Sequence, residues 1–187
     1  MKVDELIDDV LLLMGENPKE CLWEGEAEGG CTLRERIRQE LEEAAAEAVV
    51  STPRMQLTGW RLLPDEGLRI DDDGRGVLPL PDDFLLLYDV RMTSWERRAT
   101  EVHSHDDWKR RLQDDGRPGL RGTPRRPLVF FCLNEEGKLS LELFSCRRTD
   151  VVAEGWYMPA PRISAAGEIE IPPAAYQKCI NALATLS

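Results

Sequence analysis

The residues best suited to chemistry stand together at His103-Ser104-His105-Asp106-Asp107. Two imidazoles beside two carboxylates are reasonable ligands for a divalent metal. Their spacing works against that use. His103 and His105, at i and i+2, converge only on one face of a strand, whereas Asp106 and Asp107 read as the start of a helix. No second ligand cluster at helical spacing and no H-E-x-x-H accompanies them. The chain holds 2 histidines in all, so acid–base chemistry through imidazole has few places to reside. A small metal-dependent hydrolase using His103, His105 and Asp106 is the enzymatic alternative this segment supports.

Other catalytic signatures are missing from the sequence. There is no G-x-S-x-G, no P-loop, no G-x-G-x-x-G opening a helix, and no cysteine in a recognisable histidine context. Asp71-Asp72-Asp73-Gly74 resembles part of a calcium loop but lacks the ligand spacing and the distal bidentate glutamate, so it reads as a solvated hairpin turn. The 5 cysteines are odd in number and none forms C-x-x-C. Cys132, Cys146 and Cys179 sit in apolar patterns, where a thiol behaves as a small hydrophobe. That usage points to a reducing cytoplasm. No catalytic residue, metal or cofactor is assigned, and the expectation is a protein that works through its surface.

That surface is strongly and unevenly charged. The formal net charge is −11, which argues against a general nucleic-acid binder. Residues 1–50 carry 14 acidic against 5 basic residues, whereas residues 91–126 carry 10 basic against 6 acidic. Opposed patches on one chain could draw copies together head to tail. The candidate interface residues are Asp4, Asp8, Glu40, Glu43 and Glu47 on the acidic helices, and Arg117, Arg121, Arg125 and Arg126 in a basic loop. Arginine suits such a surface because its guanidinium offers planar, multidentate donors. Trp95 and Trp108 are candidate aromatic anchors. A monomeric regulatory binding module is the alternative within the non-enzymatic class.

The elements that must position these residues are legible in outline. Val3, Leu6, Ile7, Val10, Leu11 and Met14 recur at helical spacing, and the helix ends near Gly15. Residues 16–31 form a polar loop that Trp23 could pin. Thr32 and Glu35 make a capping box for a second helix, with an apolar stripe at Leu33, Ile37, Leu41, Ala44, Ala45, Ala48 and Val49 and a stop at Pro53. Met55, Leu57, Trp60, Leu62 and Leu63 suggest a piece covering the core. Two prolines keep Leu78–Pro81 out of the middle of a sheet. From Phe84 a strand begins, with Phe84, Leu86, Tyr88, Val90 and Met92 on one face. Ser104 could cap a short helix whose apolar contacts are Trp108 and Leu112, and residues 114–127 make a long loop. Leu128–Leu133 and Leu139–Leu143 form a hairpin around Asn134-Glu135-Glu136-Gly137, with Glu142 pointing outward. A further strand covers Val151 to Met158, Ile169 and Ile171 mark a short extended piece, and a last helix runs from about Ala174 to Leu186.

The stretch Leu78-Pro-Leu-Pro-Asp-Asp-Phe-Leu-Leu-Leu resembles head–tail connector (adaptor) proteins of tailed phages and prophages. So do the opening helix pair, Arg121-Gly-Thr-Pro-Arg-Arg-Pro127 leading into a strand, and Glu168-Ile-Glu-Ile-Pro-Pro before a C-terminal helix. The resemblance implies a non-enzymatic ring of about a dozen copies beneath the portal, a cyclic heterologous assembly. It also implies portal and tail proteins as partners, packaged DNA passing without sequence-specific binding, and a place in the host cytoplasm and the virion, with no membrane. The large β segment, Phe84 to Met158, departs from all-helical connectors. The expected architecture is α+β: one domain, with a helical lobe from residues 1–76 and 172–187 and an antiparallel β-rich lobe from 77–171.

Overall fold

The computed structural model describes residues 1–18, 32–114 and 121–185. Among these residues the fold is α+β, with four α-helices and two antiparallel sheets. Its chain folds as a helical unit, 1–59 with 160–187, and a β unit, 60–159. The boundaries therefore fall earlier than the sequence suggests. Residues 60–76 supply strands to the β unit. Residues 160–171 belong with the helices, because Ile169 donates its N–H to Met1 O (3.0 Å) and Val3 donates to Gly167 O (2.9 Å).

In the helical unit, α1 (Val3–Met14) ends in a Schellman arrangement. Gly15 takes φ 81°, its N–H reaches Leu12 O, and Glu16 N–H reaches Leu11 O. Helix α2 (Leu33–Val50) opens on the expected capping box: Thr32 Oγ1 accepts from Glu35 N (3.3 Å) and Glu35 Oε2 from Thr32 N (2.8 Å). Helix α4 (Pro173–Ala184) carries proline in its first turn, where the missing donor is harmless. It packs most extensively on α2, whose small Ala44, Ala45 and Ala48 allow close approach. Tyr176 is half-buried, and its hydroxyl donates to Asp9 Oδ2 at 2.7 Å. Burial and then the Asp9 charge push the Tyr176 pKa up to about 12. Trp23 lies outside the described residues.

In the β unit, one sheet has the order β1 (Arg61–Leu62), β7 (Val152–Pro159), β4 (Phe84–Met92). The other has the order β2 (Arg69–Ile70), β3 (Arg75–Pro79), β6 (Leu139–Phe144), β5 (Val129–Leu133). Both contribute to one core, with Leu87, Val90, Met92 and Tyr157 from the first and Leu78, Val129, Leu141 and Leu143 from the second. Trp95 joins it at 2 % exposure, so it is a core residue rather than an interface anchor. Cys146 is buried, and its thiol is pushed up to about 12 by burial and then by Asp150, so it stays protonated at neutral pH. Among the described residues, no helix is long and apolar enough to cross a membrane.

Three local expectations are corrected. Leu78 and Pro79 are strand residues, and β3 lies inside its sheet. Pro79 is tolerated because it ends the strand, beyond the two residues of β2 that pair with Gly76 and Val77; Leu80 still donates to Leu139 O. Strand β4 does not keep one apolar face, because register shifts against β7 between Phe84 and Leu86, Leu87 and Asp89, and Arg91 and Met92 re-aim its side chains. Leu87 and Asp89 are consequently buried and Tyr88 exposed. Finally, Met55 and Leu62 stand in solvent rather than covering the core, which only Leu57 and Leu63 of that stretch do.

The Asp71–Gly74 segment is the hairpin turn joining β2 to β3, closed by Asp71 N–H to Arg75 O at 2.8 Å. Gly74 has φ 78°, and a Cβ there would lie 2.8 Å from Cys146 O. Gly74→Ala should therefore cost about 1–2 kcal/mol from the left-handed backbone and more from a contact with backbone that cannot swing aside. A urea unfolding midpoint equal to wild type would refute this.

Candidate functional site

The candidate site is a cleft of about 400 Å³ in the β unit, whose lining includes five arginines and a lysine beside apolar residues. Its first wall is the segment after Trp95, bearing Arg97, Arg98 and His103. Two anchors hold this wall. Ala99 exchanges both backbone hydrogen bonds with Val90 of β4, at 2.8 and 3.0 Å. His103 then donates its N–H to Val129 O and accepts at its carbonyl from Phe131 N, both at 2.9 Å, running parallel to β5. The turn that launches the wall is tied by Asp150, whose carboxylate accepts from Thr93 Oγ1, Ser94 N, Ser94 Oγ and Arg147 N.

The second wall is α3 (Trp108–Arg111), which brings Trp108 and Lys109. Its cap is Asp107, whose carboxylate accepts from Lys109 N at 2.9 Å; Ser104 is not the cap. Trp108 does not pack as expected and is 65 % exposed at the lip. The helix is seated by Arg110, which forks onto Glu142 of β6 through Nε and through Nη2 (2.8 Å) while lying 5.2 Å over the Phe144 ring. Arg75 Nε also reaches Glu142 as an ion pair, without alignment for a hydrogen bond. Glu142 is thus wholly buried, contrary to the outward orientation its alternation suggests. Burial alone would lower the Arg110 pKa, but Glu142 and then Asp114 outweigh it and raise it.

The third wall, 121–128, supplies Arg121, Arg125 and Arg126. A tight turn joins Thr123 to Arg126, and Gly122 is gripped from both sides. Its N–H donates to Gln113 Oε1 at 2.7 Å, and its carbonyl accepts from Ser145 Oγ. Ser145 holds a left-handed φ of 69°, and its carbonyl accepts from the Trp95 indole at 3.2 Å. Arg117 lies outside the described residues.

The cations differ in availability. Arg98 is committed to Asp89 (3.0 Å) and to Glu154. Arg125 is bound to Glu96 at 2.9 Å. Arg97, Arg121 and Arg126 are exposed and form no ion pair with a described residue. His103 is buried, with Nδ1 3.3 Å from Asp107 Oδ2 and Nε2 3.5 Å from Lys109 Nζ. A proton on Nδ1 satisfies both neighbours. His105 and Asp106 are exposed. No group of three or more His, Cys, Asp or Glu side chains among the described residues could hold a metal. What the cleft can do chemically is receive an anion: planar donors converge, an exposed indole flanks them, and Glu101 is the one acid among the described residues of the lining.

The acidic candidates fare unequally. Asp8 accepts from Arg34 at 2.7 Å and Asp4 from Arg38 at 2.5 Å, so the acidic face of α1 is partly neutralised by α2. Glu42, not among the candidates, accepts from Ile163 N and from Arg162, which lower its pKa with the backbone donor foremost. Glu43 and Glu47 are exposed and Glu40 is half-buried. No basic residue occupies the last turn of α2. Glu43 and Glu47 are a like-charged i,i+4 pair running toward the negative end of the helix dipole, which costs a few tenths of a kcal/mol.

Sequence reasoning singled out the third wall but not Arg97, Arg98 and Lys109 as its companions. Their clustering in residues 91–126 was the available signal. The chain matches no protein-family model, and no curated protein matches it.

Proposed function

We propose that this chain is a non-enzymatic structural adaptor of the head–tail connector type, which assembles with copies of itself and docks on a portal. The observation that carries the reading is the placement of opposite charge on two compact units: a cationic cleft on the β unit and an exposed carboxylate edge on α2 of the helical unit. Two different, complementary patches on one chain make heterologous contacts, which close into rings or run on as filaments.

The test is to produce the full chain alone and beside any portal protein that its genomic neighbourhood encodes, then follow both by sedimentation and electron microscopy at about 0.05 and about 0.5 M salt. Rings, alone or on the portal, that weaken at high salt are expected. A chain that stays monomeric at its highest soluble concentration, at low salt and beside the portal, overturns the reading.

A further inference from the structure

We infer that the cationic cleft receives the carboxylate edge of α2 from a second copy of the chain. This rests on the adaptor reading and names the two surfaces that meet. Glu40, Glu43, Glu47 and Val50 recur at i, i+3, i+7 and i+10, so they form one stripe along α2. The stripe rises about 15 Å. Val50, at its end, is an exposed apolar residue at 55 %. The cleft offers the matching chemistry, with Arg97, Arg121 and Arg126 exposed and Trp108 bare at the lip.

Three observations favour this occupant. Of the arginines of α2, Arg34 and Arg38 are turned to Asp8 and Asp4 of α1, which leaves Arg36, four residues before Glu40, as the arginine on the stripe's own face. Glu43 and Glu47, beyond the reach of Arg36, repel one another toward the negative end of α2, where Lys178 Nζ donates to Ser51 O at 2.7 Å but no basic residue of α2 itself lies, and a cationic partner relieves that repulsion. Nucleic acid fits less well: the net charge of −11 repels a polyanion at range, and two of the cleft guanidiniums are already held by Asp89, Glu154 and Glu96.

Charge exchange tests the pairing. One variant carries Arg121→Glu and Arg126→Glu; the other carries Glu43→Arg and Glu47→Arg. All four positions are exposed, and unchanged circular dichroism and unfolding midpoints verify folding. Sedimentation at low salt should show self-association of each variant weakened at least about 100-fold. An equimolar mixture should associate within about 10-fold of wild type, because each reversed surface then meets its complement. Assembly indifferent to both reversals, or lost in the cleft variant alone with no rescue on mixing, overturns this pairing and leaves the adaptor reading standing. A duplex DNA oligonucleotide retained by wild type and by the α2 variant but not by the cleft variant assigns the cleft to phosphate and also overturns the pairing. A wild-type chain without assembly under any condition fails the adaptor reading itself.

Discussion

Replacing Glu142 with alanine should lower the free energy of unfolding by about 3–5 kcal/mol. Its carboxylate has no exposure and answers two guanidiniums, Arg110 and Arg75, brought from 32 residues ahead of it and from β3. Removing it leaves the Arg110 head, whose side chain is 12 % exposed, over the Phe144 ring with the exposed Asp114 carboxylate (2.9 Å) as its remaining ion-pair partner. That residual charge, more than the lost attraction, makes the change expensive. A compensated pair, Glu142→Leu with Arg110→Met, should recover most of the loss because apolar groups of similar volume fill a buried ion pair's place well. Urea unfolding of the three proteins measures this. A shift below about 0.5 kcal/mol for Glu142→Ala, typical of an ordinary surface change, would show that the buried network does not hold α3 to the sheet.

Asp150→Asn should cost about 2–4 kcal/mol at neutral pH. Asp150 is 7 % exposed and accepts four hydrogen bonds, two on each oxygen with one backbone N–H apiece, so an amide nitrogen in place of either oxygen faces a backbone N–H it cannot serve. Burial is the strongest single influence on its pKa and pushes it up. The donors from Ser94, Arg147 and Thr93 together outweigh that influence and hold it below the ordinary value of 3.8. The sign of the pH dependence follows. A carboxyl whose folded pKa lies below the unfolded one contributes fully above 3.8 and loses its contribution as pH falls through the folded value. The wild-type advantage over Asp150→Asn should therefore be full at pH 7 and shrink under acid. An advantage constant from neutral pH into strong acid would refute the account. Glu42 and Glu154, also held low, push the wild-type protein in the same direction.

Legibility followed the range of the forces involved. Helices α1 and α2, with the Thr32–Glu35 box and the Gly15 stop, could be read because periodicity and capping act within a few residues. The hairpin at Asn134–Gly137 was readable for the same reason. The alternation of β4 was not, since its bulges exist only against β7, some 60–75 residues later in the chain. Burial of Glu142 depended on arginines far away in sequence, so nothing inside Leu139–Phe144 announced it. The third wall of the cleft stood out as an arginine run, but the other two became walls only when Ala99 met Val90, His103 met β5, and Arg110 met Glu142.

The double grip on Gly122 has a mechanical side. A pull applied at Arg121 or at the turn beyond it reaches Gly122 first, where it divides between Gln113 and Ser145. The Ser145 branch ends on the Trp95 indole, deep among the packed side chains, and the Gln113 branch ends on the Lys109 carbonyl. Tension is thereby shared between the α3 end and the packed core instead of peeling one strand from its neighbour.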